Sequence, residues 1–124
     1  MYGLQGRYDL AEEMHKKCLE ISQRRGLPDS VAGAYCNLGT VYQEIGKYQE
    51  ALEMQENALT IMQRVGNEHG VSMVLCNLAS ICFLKGDVRK ALTLFDQAQS
   101  RMESIGDLSA VAGIHFNRGL LFMQ

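Results

Sequence analysis

Between Arg7 and Arg25, Leu10, Met14, Cys18, Ile21 and Arg25 fall three or four residues apart. Glu12, Glu13, Lys16, Lys17 and Glu20 fill the positions between them. At helical pitch this spacing gathers the apolar side chains on one face and turns the charges elsewhere. The same reading predicts helices from Asp29 or Ser30 to about Ile45, Tyr48 to Val65, Gly70 to Lys85, Val88 to Ile105 and Leu108 to Gln124. Gly26, Gly46, Gly66 and Gly106 stand where these segments stop. Pro28 lies just beyond the first stop, and Asp29 or Ser30 is expected to cap the helix that follows. Residues 1–5 align with 41–45, so they are expected to form the tail of a preceding helix, with Gly6 as its turn.

These segments repeat. The stretch GRYDLA at 6–11 returns as GKYQEA at 46–51 and as GDVRKA at 86–91, a spacing of 40 residues. Asn37, Asn77 and Asn117 keep that spacing, as do Gly26, Gly66 and Gly106, and Val31, Val71 and Val111. A fixed period in this range marks a stacked repeat protein. No single helix pair can bury its apolar stripe alone, so neighbouring pairs must cover it.

Asn37, Leu38 and Gly39, followed by Tyr42, Gly46, Tyr48, Ala51 and Ala58, resemble the tetratricopeptide repeat. That motif puts Leu-Gly and Tyr on a first helix and small alanines on a second. Its usual period is about 34 residues. The longer spacing here resembles the subclass found in kinesin light chains and Pins-type polarity adaptors. The resemblance implies an all-α, right-handed solenoid of antiparallel helix pairs, about six helices in all. It implies one array over residues 1–124, built of the units 7–45, 46–85 and 86–124 and forming part of a longer array. Gly39, Ala79 and Gly119 are expected where the two helices of a repeat cross, with Ala51, Ala58, Ala91 and Ala98 facing them. The sequence departs from the motif where Gln55 and His15 occupy a position that Phe95 fills with an aromatic ring. It departs again where Arg118 replaces the leucine of Leu38 and Leu78.

Composition narrows the function classes. At 124 residues the chain is one domain at most. A net charge of −2 gives no electrostatic pull on nucleic acid or an acidic membrane. No apolar run approaches the ~20 residues that a membrane span needs. The first five residues lack the charged-then-apolar pattern of a signal peptide. Cys18, Cys36, Cys76 and Cys82 follow no disulfide framework, which fits reduced thiols in an intracellular, cytoplasmic protein.

With Leu38 and Tyr42 turned inward, the other side of the first-type helix carries Gly33, Cys36, Asn37, Thr40 and Glu44. The next carries Met73, Cys76, Asn77, Ser80, Phe83 and Leu84, and the last Gly113, Phe116, Asn117, Leu120 and Met123. The family resemblance implies that these faces line the concave groove of the superhelix and bind a peptide there. Each Asn carboxamide offers a donor and an acceptor, which suits the peptide groups of an extended chain. The same ladder could instead bond to backbone and stabilise the repeat, and sequence leaves both roles open. Met73, Cys76, Phe83, Phe116 and Leu120 give the groove an apolar half suited to Leu, Phe or Met anchors, unless some of them pack within the stack. Some chaperone-binding relatives hold a C-terminal carboxylate in a Lys/Arg/Asn clamp; the clamp positions are Gly33, Cys36, Met73, Cys76 and Gly113 here, which argues against carboxylate capture.

No active site emerges. Cys36 and Cys76 sit at matching positions but lack the further ligands that structural zinc requires, and they read as buried small residues. His15 and His69 are isolated, and no Ser-His-Asp set or Gly-rich phosphate loop is present. Neither an enzyme nor a cofactor is expected. Three functions remain: a scaffold that binds an extended or partly helical peptide, a regulatory sensor coupled to an effector domain, and a substrate-docking segment of a larger enzyme. The tail from Ile114 to Met123 is too apolar to face water on all sides, so head-to-tail or exchanged self-association is a further expectation.

Overall fold

A computed structural model describes residues 3–105 and folds them into five α-helices: α1 (Gly3–Arg25), α2 (Pro28–Glu44), α3 (Tyr48–Val65), α4 (Glu68–Leu84) and α5 (Val88–Ile105). All regular structure among the described residues is helical. The expected sixth helix, 108–124, and its stop at Gly106 lie outside them. The chain divides into two compact units, one ending at Val65 and the other beginning at Gly66.

The turns are closed by backbone chemistry. Gly46 and Gly86 adopt φ of +83° and +94°, a left-handed conformation that a Cβ disfavours. That geometry swings Lys47 N–H onto the Tyr42 carbonyl at 2.8 Å and Asp87 N–H onto the Cys82 carbonyl at 2.8 Å. Otherwise orphaned carbonyls at each helix end are thereby satisfied. Gly6, at the same repeat position, behaves differently from expectation: it lies inside α1, which begins at Gly3. The helix simply continues through the glycine at a propensity cost of ~1 kcal/mol relative to alanine.

Helix starts also differ in detail. Leu27, not Asp29 or Ser30, takes the cap position of α2 and makes no side-chain cap bond. Pro28 occupies the first turn instead, where its missing N–H costs nothing, and Asp29 lies in the positive first turn. In the second unit Asn67 caps α4, its Oδ1 accepting from Gly70 N–H at 2.9 Å. That cap starts α4 two residues before the expected Gly70.

In the first unit α2 packs against both α1 and α3; in the second, α4 packs against α5. Ala51, Ala58, Ala91 and Ala98 are fully buried, and Ala79 and Gly39 are buried too. These small residues thus stand where the sequence places helix crossings, and Gly119 lies outside the described residues. Around them Leu38, Tyr42, Val71, Leu75, Leu78, Phe95 and Met102 form the cores of the two units.

A charged cluster helps tie α1 to α2. Tyr42 O–H donates to Glu12 Oε1 at 2.8 Å, and Lys16 Nζ sits 2.9 Å from the same oxygen. Lys16 first, and Tyr42 second, hold the Glu12 carboxyl below its usual value of 4.5. Burial, then Glu12, pushes the Tyr42 phenol up. Because the folded carboxyl is depressed, its stabilisation is complete above 4.5 and is lost as pH falls through the lowered value. Tyr42→Phe should therefore cost about 1–2 kcal/mol at neutral pH, as for a hydrogen bond to a charged acceptor. The cost should shrink in acid once Glu12 is protonated. Urea unfolding of both proteins at the two pH values checks this, and an equal cost at both would contradict it.

Candidate functional site

The first-type helices α2 and α4 are two-faced. In α2, Leu38 and Tyr42 are 2% and 8% exposed, while Asn37, Thr40 and Glu44 stand open to solvent. Gly33 and Cys36 are half-buried at the edge of that open face. In α4, Leu75, Leu78, Ala79 and Cys82 are buried, and Met73 and Leu84 are each 47% exposed. Cys76, Asn77, Ser80 and Phe83 are half-buried. The residues picked from sequence on α2 and α4 therefore stand on one accessible side of each helix. Phe116, Asn117 and Leu120, with Gly113 and Met123, lie outside the described residues.

Hydrogen bonding refines what these faces can offer. Thr40 Oγ1 donates to the Cys36 carbonyl and Ser80 Oγ to the Cys76 carbonyl, each at 3.1 Å. Both hydroxyl protons are thus held by their own helix, and only the oxygen lone pairs remain for a ligand. Asn77 already has an interaction within the chain. The α4 face is the more apolar of the two, with Met73, Phe83 and Leu84 beside the polar Asn77 and Ser80. None of the face residues named on either helix is cationic.

The Cys36 and Cys76 thiols are unsuited to nucleophilic work. Burial pushes Cys36 up, and pushes Cys76 up to about 11, so both are protonated at neutral pH. They are half-buried rather than fully buried, a partial correction to the sequence reading. None of the four cysteines forms a disulfide. Among the described residues no group of three or more His, Cys, Asp or Glu side chains is placed to hold a metal ion. No helix among them is long and apolar enough to cross a membrane.

Sequence reasoning missed the role of Gln55. It is fully buried on α3 and donates from Nε2 to the Cys36 carbonyl at 3.2 Å. The Gln55 side chain fills the space beside Gly39, where an added Cβ would lie 2.6 Å from Nε2. A signal was present: Gln55 faces glycine in one repeat, while Phe95 occupies the same register beside Ala79 in the next. The pairing of Glu68 with Arg101 at 2.7 Å, between α4 and α5, was also missed. Exposed on both sides, it contributes little.

Comparison with known proteins gives consistent findings. Two family models, both described as tetratricopeptide repeat, match residues 30–104 and 1–25. Among solved structures the chain is similar to BtubC (BKLC) from P. vanneervenii at 26% identity and a TM-score of 0.83. That match covers 98% of this chain and 50% of that one. It is also similar in fold to the apo form of RapI, at 24% identity and a TM-score of 0.82, covering 94% of this chain and 42% of the other. The chain thus spans half or less of the length of these two structures. No curated protein matches it.

Proposed function

The chain belongs to the tetratricopeptide repeat family, and from that premise we propose that it is a non-catalytic scaffold binding an extended or partly helical peptide on the open faces of α2 and α4. One observation carries the reading. Helices 40 residues apart each bury one side in a core and leave an asparagine-bearing side accessible. Such a carboxamide can pair with a peptide group of the ligand as donor and acceptor together. Asn37, Thr40, Asn77 and Ser80 supply the polar contacts, and Met73 and Phe83 take apolar anchors. By sequence register Phe116, Asn117 and Leu120 extend the same set. The period of 40 residues supports reading the array as similar to the long-repeat subclass of kinesin light chain and Pins-type adaptors, and a cytoplasmic scaffold is part of that proposal.

The lack of a cationic side chain among these face residues supports one mode of recognition over the other. A C-terminal carboxylate has no partner of opposite charge there, so binding depends on internal peptide groups and on Leu, Phe or Met side chains. Peptides selected from a random library should therefore keep their affinity, within about twofold, when their C-termini are amidated. Removing a charge held in a clamp would instead cost ~1.5–3 kcal/mol. A library that yields no binders, or binders that fail on amidation, would contradict the proposal.

A further inference from the structure

The first unit carries an apolar groove at one end of its helices. The turn between α1 and α2 forms one bank and the last residues of α3 the other, around a cavity of about 360 Å³. Leu27, Pro28, Val31, Ile61 and Val65 form its walls. Leu27 and Val65 are 46% and 42% exposed, so two large aliphatic side chains stand open to water on one groove. Arg64 is its single charged side chain. Arg64 takes part in none of the ion pairs among the described residues, and no acidic side chain lines the cavity. The second unit fills the same register with polar groups. Where the first has Leu27, Pro28 and Ile61, it has Asn67, Glu68 and Arg101. Asn67 caps α4, and Glu68 pairs with Arg101 at 2.7 Å between α4 and α5. The fold therefore holds with a polar version of this corner, and packing alone does not call for an open apolar one in the first unit.

We propose that this groove binds a small amphipathic carboxylate, with one ring or a short chain against the apolar walls and the carboxylate on Arg64. The volume lies at the low end of the ~300–1,000 Å³ typical of small-molecule sites, which suits a compact ligand. Charge selects the head group. The planar guanidinium matches a carboxylate in a two-point hydrogen-bonded pair. One cation neutralises one negative charge, whereas a phosphate dianion would keep an uncompensated charge beside apolar walls. The groove shares no residue with the asparagine-bearing faces, so the proposal stands apart from the peptide reading.

Amide chemical shifts of the 124-residue chain, followed while phenylbutyrate is titrated in, test this. The changes should saturate and be largest at Gly26, Leu27, Val31, Ile61, Arg64 and Val65. Phenylbutanol keeps the ring and lacks the charge, so it should bind at least about tenfold more weakly. Arg64→Gln should weaken phenylbutyrate about tenfold and leave phenylbutanol unchanged. Leu27→Asn should weaken both ligands, because it removes a wall of the groove. Its melting point should nevertheless hold or rise. Leu27 makes no cap bond at the start of α2, and an asparagine there can accept from a first-turn N–H as Asn67 does in α4. Loss of folding cannot imitate that combination. Changes that never saturate, or that centre elsewhere, would overturn the proposal. Equal binding of the alcohol would make the groove a purely apolar contact and overturn it too. Tighter binding of phenyl phosphate, or an Arg64→Gln chain that holds phenylbutyrate as before, would do the same.

Discussion

Ala51→Phe should lower the stability of the first unit by ~1–3 kcal/mol, since a ring must enter a crossing that has no free space. Ala51 is fully buried on α3, which packs on α2. A loss of that size shifts a small domain's midpoint by several degrees. Gly39→Ala probes the same crossing from the other side. Its Cβ would stand 2.6 Å from Gln55 Nε2 and 3.1 Å from Cδ. Gln55 is fully buried and held by its bond to the Cys36 carbonyl, so it cannot swing into water. Giving way breaks that bond and strains the side chain, an expected cost of ~1–3 kcal/mol. The second repeat contains the remedy: Ala79 and Phe95 occupy the same register and are both buried. Gly39→Ala with Gln55→Phe should recover part of the loss, with a coupling of ~0.5–3 kcal/mol in a double-mutant cycle. Melting points of the four proteins check this. Strict additivity, or an Ala51→Phe midpoint unchanged within about a degree, would contradict the placement.

That pair also shows what sequence could and could not reveal. The helices α3 and α5 were legible to the residue because a turn glycine and a periodic run bound them on both sides. The start of α2 was not, because proline in the first turn displaced the side-chain cap that Asp29 or Ser30 suggested. Gly6 misled because a helix can run through a glycine at a modest propensity cost, so a repeat position does not by itself dictate a turn. The two-faced character of α2 and α4 followed from spacing alone. The orientation of Thr40 and Ser80 did not, because bonding back to a carbonyl four residues earlier leaves no trace in periodicity. Gln55 was visible as a departure from the repeat, but its bond to a backbone carbonyl depends on a crossing distance that only the packed helices define.

Asn77→Ala should weaken peptide binding by ~1–3 kcal/mol, roughly 5- to 150-fold, because it removes a donor and an acceptor and can leave peptide groups of the ligand unpaired. Asn77 is half-buried and already engaged within the chain, so a smaller loss of stability should accompany the loss of affinity. Asn37→Ala isolates the binding contribution: Asn37 is exposed on α2, so its removal should leave the melting point in place while affinity falls. Calorimetric titration of both variants with one selected peptide, alongside their melting curves, separates the two roles. An Asn77→Ala chain that is destabilised yet binds with full affinity in its folded fraction would make the asparagines structural.

The central claim is that the accessible sides of the first-type helices are the recognition surface. Amide chemical shifts, followed while one library-selected peptide is titrated into the full chain, test it most directly. The account predicts that the largest changes fall at Asn37 and Thr40 on α2 and at Met73, Asn77, Ser80 and Phe83 on α4. Changes concentrated instead on the exposed sides of α3 and α5, around Glu53, Glu56, Thr93 and Gln97, would contradict it.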